Sequence, residues 1–514
     1  MHASLVNGPA NLIGGRLVQL PGDSICSRNP TRPSEIVFQG GSSLSHIDDA
    51  IAAAREAQRT WASFSEEQRF RGLRAFRDLC KERAPVMARL IADETGKALW
   101  DARAEADLLA AKVDITLDAS EVGGLRRVSG FSFALSASRS GRAWFRPHGV
   151  MAVLGPYNFP AHLPNGHMIP ALAMGNAVVL KPSDKAPAVG QTLIEWLWEA
   201  LSREGAPPGV VGLVHGGVDV ASRLARHPDL DGILFTGSWP VGRRIMEANL
   251  DYPGRILALE MGGNSPAVVM PDADLRQAAI EVVRSAFVST GQRCTCTRRL
   301  VVHREIADRF VRAIVEMASR LVVGDPVAEP QPFMGPIISG EAREAVLAAS
   351  KRFVADGAEV LLEPSAIAST SGGFFLSPGI LKVDRFTHGD SGAGADVEVF
   401  GPLLRLSVVD SLSEAISQAN ATRFGLAASI FTKDKEAIER FLGEARAGCI
   451  NVGTGTAGAS SKLPFGGLGF SGNHRPAGSF SLDYCAYPVA GMLESSDAAA
   501  IPVGMTFDEA FLRA

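Results

Sequence analysis

The sequence lacks a long apolar run, a surplus of basic charge and a dense set of cysteines. A membrane-spanning helix needs roughly 18 or more consecutive apolar residues, and no run in these 514 residues approaches that length. The 51 Lys and Arg residues are matched by 55 Asp and Glu residues, which leaves a net charge of −4. Electrostatic binding of nucleic acid needs an excess of Lys and Arg, so the composition disfavours that function and a membrane span alike.

The six cysteines are too sparse for a disulfide framework in a chain of this length, and we interpret them as reduced thiols. The first 15 residues lack the basic and apolar segments of a secretory signal, so the cytoplasm is the expected compartment. Hydrophobic residues make up 46% of the chain and charged residues 21%, which is typical of a globular protein. At about 100–200 residues per domain, the length predicts two or three domains.

Signature motifs of several other enzyme classes are absent. The sequence contains no G-x-S-x-G, no Walker A and no H-E-x-x-H motif, which disfavours an α/β-hydrolase, a P-loop NTPase and a zinc protease. Cys294 and Cys296 have no second Cys or His pair at zinc spacing, so no metal site is predicted.

The first part of the chain has helical periodicity. Apolar residues recur at helical spacing over Ile47–Trp61, and Ser45 with Asp48 resembles a capping box at its start. Further helical patterns continue to about Asp118. A β-hairpin that protrudes is then predicted from Arg126 to Phe145.

From Val150 to Met270, short β-rich runs alternate with helical stretches, which predicts a parallel sheet covered by helices. A second α/β region is predicted from Arg299 to about Ile450, followed by a final strand near Tyr484–Val489. Ligands of such sheets bind at the carboxyl ends of the strands. We therefore searched the segments that follow each strand for functional side chains.

Cys294 and Glu260 are the first candidates for chemistry. Cys294 follows a helical pattern in a stretch of small residues, and a neighbouring Arg293 would lower the pKa of its thiol if the two side chains face one another. A buried structural thiol is the alternative. Glu260 ends an apolar strand, where a carboxylate is either ion-paired or held with a raised pKa for work as a base.

Polar residues after two further strands suit an oxyanion and a cofactor. The amide of Asn158 can donate to an oxyanion, or it can bond its own backbone in a turn. Lys181 is either a phosphate or ribose ligand or a solvated lysine, and Asp184 can accept from a 2′-hydroxyl while repelling a 2′-phosphate. The segment Phe235–Gly242 joins a strand to a helix whose N-terminus can face a pyrophosphate.

Taken together, these segments follow one another in a recognisable order. They read PYNFP, VVLKPSD, FTGSWPVG, LEMGGNSP, GQRCT and EVFGP. Their order resembles the aldehyde dehydrogenase superfamily over nearly the whole chain. The resemblance implies an NAD-dependent enzyme with Cys294 as nucleophile, Glu260 as general base, and Asn158 with the Cys294 backbone N–H as oxyanion hole. The implied cofactor residues are Pro156, Tyr157, Lys181, Ser183, Asp184, Gly237, Ser238, Gly242, Gly262, Glu398 and Phe400.

The same resemblance implies the architecture, which is two parallel-sheet α/β domains plus a β oligomerisation arm. Residues 1–125 and 147–260 form the Rossmann-like NAD-binding domain, and residues 261–450 form the catalytic domain. Residues 126–146 and 478–495 supply the hairpin and terminal strand of the arm. The expected assembly is a homodimer or homotetramer that acts on a small-molecule aldehyde and binds neither nucleic acid nor membrane.

Longer stretches resemble the branch of the superfamily that oxidises N-succinyl-L-glutamate 5-semialdehyde in arginine catabolism. They are Arg146–Gly149, Gly155–His167, Gly291–Cys296, Glu329–Phe333 and Ser471–Pro476. The segment Val452–Thr456 departs from that branch beside the expected substrate entrance. Candidates to bind the substrate's carboxylates are Arg293, His162, His167 and Arg475, and a structural role is the alternative for each of them. Alternative functions are oxidation of another aldehyde with NAD or NADP, and cofactor-independent hydrolysis of activated esters by the same cysteine, as a thiol esterase.

Overall fold

The computed structural model describes residues 7–497 and 499–513, so residues 1–6 of the expected first domain lie outside the described part. The strands are β1 (Ala10–Ile13), β2 (Arg16–Gln19), β3 (Ile25–Asn29), β4 (Arg32–Gly40), β5 (Phe131–Ala134), β6 (Arg139–Pro147), β7 (Val150–Leu154), β8 (Ala177–Lys181), β9 (Val211–Leu213), β10 (Gly232–Thr236), β11 (Ile256–Glu260), β12 (Ser265–Val269), β13 (Thr297–His303), β14 (Glu359–Leu362), β15 (Gly379–Lys382), β16 (Leu403–Val409), β17 (Ala427–Phe431), β18 (Cys449–Val452), β19 (Pro464–Phe465), β20 (Ala477–Gly478) and β21 (Ala486–Glu494). The α-helices are α1 (Ser45–Ser63), α2 (Glu66–Thr95), α3 (Leu99–Leu117), α4 (His162–Ala173), α5 (Pro187–Arg203), α6 (Val218–Ala225), α7 (Trp239–Glu247), α8 (Leu275–Phe287), α9 (Arg304–Ser319), α10 (Gly340–Ala355), α11 (Leu412–Asn420) and α12 (Lys435–Glu444).

The first large sheet has the strand order β11-β10-β7-β8-β9-β1-β2. Its strands β7 to β11 run parallel, and β1 and β2 add an antiparallel edge. Every residue of β7 and β8 is buried, because helices cover both faces of the sheet. The predicted α/β class is confirmed.

The second large sheet has the order β14-β15-β16-β13-β12-β17-β18, and only β14 runs antiparallel to its neighbour. Strand β12 pairs with β13 and β17 here, although the alternating pattern from Val150 to Met270 placed it with the first sheet. That placement is wrong. A short run of buried apolar residues predicts a strand but carries no information about which neighbours it pairs with.

A third, antiparallel sheet joins β5, β6 and β21 into an arm. The hairpin begins inside the predicted segment, but β6 continues to Pro147, two residues beyond the predicted end at Phe145. The last strand begins at Ala486, since Tyr484 belongs to a buried 3₁₀ turn. Phe131 and Phe133 are 63% and 54% exposed on the outer strand β5. The boundaries of the two domains and the oligomeric role of this arm stay predictions.

The start of the first two helices differs from the predicted capping pattern. Ser45 is the first residue inside α1, and its N-cap residue, Leu44, has no side-chain cap, so the capping box of Ser45 and Asp48 is wrong. A complete capping box of Ser65 and Gln68 instead starts α2. No helix within residues 7–497 or 499–513 is long and apolar enough to cross a membrane.

Candidate active site

A cavity of about 730 Å³ opens where the carboxyl ends of β7, β8, β10 and β11 meet the second sheet. Asn158, Glu260 and Cys294 all line it. Of the predicted cofactor residues, only Gly242 is outside its wall, since it lies one turn inside α7 against Met261. The fold therefore brings together polar side chains that are up to 136 positions apart in the sequence, from Asn158 to Cys294.

Cys294 is half-buried in the cavity wall, in the loop that connects α8 with β13. Burial raises the pKa of its thiol to about 12, and the carboxylates of Glu398 and Glu260 add to the effect. The nearby cation that lowers this pKa is Arg298, not the predicted Arg293. At neutral pH the thiol therefore keeps its proton until a base removes it.

Glu260 ends β11 and is 4% exposed. Burial raises the pKa of its carboxyl group well above the ordinary value, and an N–H donated by Ala477 opposes that rise. Its buried Oε2 atom has no hydrogen-bond partner among the described residues. Of the interpretations open from sequence, this geometry favours the base with a raised pKa, because the carboxylate is buried and no cation among the described residues pairs with it.

Asn158 follows β7 and is 8% exposed. Its Nδ2 atom donates to the backbone oxygen of Gln292 at 2.9 Å, two residues before Cys294. An amide nitrogen carries two hydrogens, so one remains to donate to an oxygen in the cavity. This contact also ties the loop after β7 to the loop that carries the thiol.

The wall formed by the first sheet has the properties of a dinucleotide site. Lys181 is 7% exposed, and within residues 7–497 and 499–513 no hydrogen bond or ion pair is found for its ammonium group. Burial lowers the pKa of Lys181, and Asp184 counteracts that effect. Helix α7 begins after Ser238 with no side-chain cap, and Ser238, Trp239 and Pro240 line the cavity. Pro240 has no N–H and the Val241 N–H bonds the Ser238 oxygen, so Trp239 supplies the free N–H of this first turn, which suits a phosphate.

The wall formed by the second sheet is shaped by Glu398 and Phe400. Glu398 Oε1 accepts the N–H of Gly263 at 2.9 Å and lies 3.6 Å from Arg298. A Cβ atom at Gly262 would lie 1.9 Å from Glu398 Oε2, so a side chain at Gly262 would displace this carboxylate. The ring of Phe400 packs edge-on against Tyr157 at 6.1 Å. The donor set and the space in both walls fit a nicotinamide dinucleotide.

Three comparisons relate the chain to known proteins. The model of the aldehyde dehydrogenase family matches residues 20–488. An N-succinylglutamate 5-semialdehyde dehydrogenase of Sphingopyxis alaskensis is 45% identical over 90% of this chain and 93% of that protein. The chain belongs to the aldehyde dehydrogenase family. This aldehyde dehydrogenase is thus an oxidoreductase that acts on a small-molecule aldehyde with a nicotinamide cofactor.

Solved structures of the family superpose on nearly the whole chain. An NAD-dependent aldehyde dehydrogenase from Sinorhizobium meliloti is 28% identical, with a TM-score of 0.88, over 98% of this chain and 97% of that one. An NADP-dependent glyceraldehyde-3-phosphate dehydrogenase from Bacillus halodurans, complexed with NADP, is 29% identical, with a TM-score of 0.84, over 95% of this chain and all (100%) of that one. Both cofactors therefore occur among structural neighbours of this aldehyde dehydrogenase.

The four predicted substrate residues of this aldehyde dehydrogenase do not line the cavity. Burial and the charge of Lys112 lower the pKa of His162 and of His167 to about 3, so both imidazoles are neutral at pH 7. His167 bonds the hydroxyl of Tyr484 at 2.9 Å. Of the two arginines, Arg475 is exposed, and the Arg293 guanidinium is ion-paired.

Sequence analysis missed an aromatic part of the cavity wall. Trp239 stacks on Phe470 with ring centroids 4.1 Å apart and an angle of 8° between the rings, and Phe424 packs edge-on against Phe470. Trp239 lies within the strand-to-helix segment Phe235–Gly242, and no sequence pattern marked its ring or either phenylalanine as part of a site. Among the described residues, no group of three His, Cys, Asp or Glu side chains can hold a metal ion.

Proposed function

We propose that this aldehyde dehydrogenase oxidises N-succinyl-L-glutamate 5-semialdehyde to the acid with NAD, as a step of arginine catabolism. The observation that carries the chemistry is the meeting of Cys294, Glu260 and Asn158 in one cavity. The substrate is supported by curated relatives of that name, which are 41% to 45% identical over most of the chain.

In the first step, the sulfur of Cys294 attacks the aldehyde carbon. Because the pKa of the thiol is raised to about 12, its proton must pass to a base. Two carboxylates of the cavity have a raised pKa, and we assign this role to Glu260 because Glu398 lies beside Arg298 and accepts the N–H of Gly263. The negative charge that develops on the aldehyde oxygen is stabilised by the free N–H of Asn158 and the backbone N–H of Cys294.

The bound nicotinamide supplies the acceptor for the hydride that leaves the resulting thiohemiacetal. The Cys294 thioester that remains is hydrolysed by water. Glu260 first releases the proton of the thiol to solvent and then removes a proton from that water, which its Oε2 atom, without a described partner, is free to accept. The thiol then leaves as the acid is released.

We assign NAD as the preferred cofactor because Asp184 is an exposed carboxylate that lines the same side of the cavity as Lys181. A carboxylate accepts from a 2′-hydroxyl and repels a 2′-phosphate. Comparing kcat/KM for NAD and NADP tests this assignment, and equal values for the two cofactors would overturn it. A nucleophilic thiol and a diffusible cofactor also suit the reducing cytoplasm.

For the substrate's carboxylates, Arg475 is the candidate that the geometry favours among the four. It is exposed, its Nη1 donates to the carbonyl of His474, and no ion pair is found for it within residues 7–497 and 499–513. It also lies two residues before Ala477, which donates to Glu260. The charge of Arg293 is offset by its ion pair, while His162 and His167 carry no charge at pH 7.

The decisive experiment compares N-succinylglutamate semialdehyde with glutamate semialdehyde, succinate semialdehyde and aliphatic aldehydes, with NADH formation as the readout. The first substrate should have the highest kcat/KM, and an aliphatic aldehyde with an equal value would contradict the substrate proposal. Cys294→Ala should abolish NADH formation, with Cys26→Ala, an exposed thiol, as the control. Titration with NAD separates this function from a cofactor-independent esterase, which has no reason to bind it.

A further inference from the structure

Two carboxylates on one face of α3 hold opposite sides of the candidate active site. Asp101 and Glu105 lie one helical turn apart and are 2% and 1% exposed. Neither lines the cavity, and neither has a role in the proposed chemistry. A buried carboxylate is costly unless its oxygens are bonded, so the partners of these two side chains indicate what they stabilise.

Asp101 holds the turn that leads to the thiol. Its Oδ2 atom accepts the hydroxyl of Ser289 at 2.5 Å, and its Oδ1 atom accepts Nη2 of Arg293 at 2.6 Å. Nε of Arg293 in turn donates to the Ser289 hydroxyl at 2.8 Å, which closes a triangle of three side chains. Ser289 and Thr290 have φ angles of 53° and 57°, in the left-handed region that residues other than glycine avoid. The triangle therefore keeps a strained turn in place just before Cys294.

Glu105 holds the loop that carries the side-chain amide of Asn158. Its Oε1 atom accepts the backbone N–H groups of Ala161 and His162 at 3.0 and 3.2 Å, at the start of α4. Its Oε2 atom pairs with Nζ of Lys97 at 2.5 Å, and that ammonium lies 3.6 Å from the ring centre of Phe159. The loop from Asn158 to α4 is thus bonded to the same helix as the turn before the thiol.

The hydrogen bond from Asn158 to the backbone oxygen of Gln292 joins the two loops directly, so that α3, the loop before α4 and the loop before Cys294 form a closed ring of contacts. We propose that Asp101 and Glu105 are positioning residues, which set the distance between the sulfur of Cys294 and the amide of Asn158. Arg293 belongs to this ring of contacts, because it lies in the nucleophile loop and bonds Asp101 of α3. This inference rests on the proposed function, because that function makes Cys294 the nucleophile and Asn158 the oxyanion donor.

The test is Asp101→Asn, which keeps the size of the side chain and removes its charge. We expect kcat to fall by about tenfold or more, because small displacements of reacting groups are costly, while the Kd for NAD stays unchanged. The matched control is Asp107→Asn, an exposed aspartate on the same helix, which should retain full activity. If Asp101→Asn does not fold, Ser289→Ala removes only the hydroxyl of the triangle and should lower kcat in the same direction.

A double variant separates positioning from general support of the fold. If Asp101 acts through the alignment of Asn158 with Cys294, Asp101→Asn combined with Asn158→Ala should be no slower than Asn158→Ala alone. Multiplied losses, or an Asp101→Asn variant as active as Asp107→Asn, would overturn the inference. Failure of the proposed function itself is recognised separately, since Cys294→Ala would then keep its dehydrogenase activity in the same assay.

Discussion

At the scale of single residues, burial raises the pKa of the main titratable groups of the candidate site. The pKa of the Cys294 thiol is raised to about 12, and burial also raises the pKa of Glu260 and of Glu398. Local sequence suggested activation of the thiol by the neighbouring Arg293, but that guanidinium bonds Asp101 instead. The proton of the thiol must therefore move to a carboxylate, which makes Glu260 important at the start of the reaction and at its end.

The first prediction concerns Glu260→Gln, which keeps the shape of the side chain but cannot accept a proton. Steady-state turnover should fall by about 10²-fold or more, because both the thiol and the attacking water lose their base. Rapid-quench measurement of NADH should show that the first turnover per site is slowed as well, because the Cys294 thiol has lost its proton acceptor. An unchanged steady rate would remove Glu260 from the mechanism. A matched control is Glu281→Gln, since Glu281 is bonded to Arg284 and lies outside the cavity wall.

At the scale of elements, buried carboxylates from distant helices cap helices that have no cap of their own. The N-cap residues of α4 and α5 are Ala161 and Ala186, which offer no side-chain acceptor. Glu105 fills that role for α4, and Glu94, at the end of α2, accepts the N–H groups of Ala188 and Val189 in the first turn of α5. The favourable interaction of a carboxylate with a helix N-terminus thus joins separate elements.

The second prediction concerns the pH dependence of this capping by Glu94. Burial raises the pKa of Glu94 from 4.5 to about 7, so the folded state holds a proton there that the unfolded state has released. The contribution of Glu94 to the free energy of unfolding therefore falls as pH rises from 4.5 to about 7. Glu94→Gln removes this titration, so its melting temperature should rise relative to the parent protein as pH increases.

Melting temperatures of the two proteins at pH 5 and pH 8 test this expectation. From pH 5 to pH 8, the free energy of unfolding of Glu94→Gln should rise relative to that of the parent protein by on the order of 3 kcal/mol or less. A difference that stays constant with pH would contradict it. Glu199→Gln is the control, because Arg83 lowers the pKa of Glu199, so this group stays ionised and its contribution does not change between pH 5 and pH 8.

At the scale of the whole molecule, two large sheets meet at one cavity and a small sheet projects as an arm. Strand β21 returns from the end of the chain to pair with β6 over nine residues, so the arm depends on both the middle and the end of the sequence. Its outer strand β5 has an unpaired edge, and Phe131 and Phe133 are exposed on it. An open edge with apolar side chains is a template for pairing with another chain.

The third prediction tests the arm as the surface that builds the expected homodimer or homotetramer. Replacing Phe131 and Phe133 by Ser should convert the assembly to smaller species, measured by light scattering after size-exclusion chromatography. The far-UV circular dichroism spectrum should be unchanged, since neither ring is part of the two large sheets. Val86→Ser, an exposed apolar residue on α2, is the control and should leave the mass unchanged. A double variant with the parent mass would exclude this arm as the interface.

By itself the sequence determined the family, the α/β class, most strands and the residues to look for in a site. Those features are local, since a motif such as LEMGGNSP or a short apolar run is readable from neighbouring residues alone. Tertiary structure decided which sheet β12 joins, which carboxylates cap α4 and α5, and that Arg293 pairs with Asp101. These contacts join residues far apart in the chain, for example 192 positions for Arg293 and Asp101, and only packing brings such groups together.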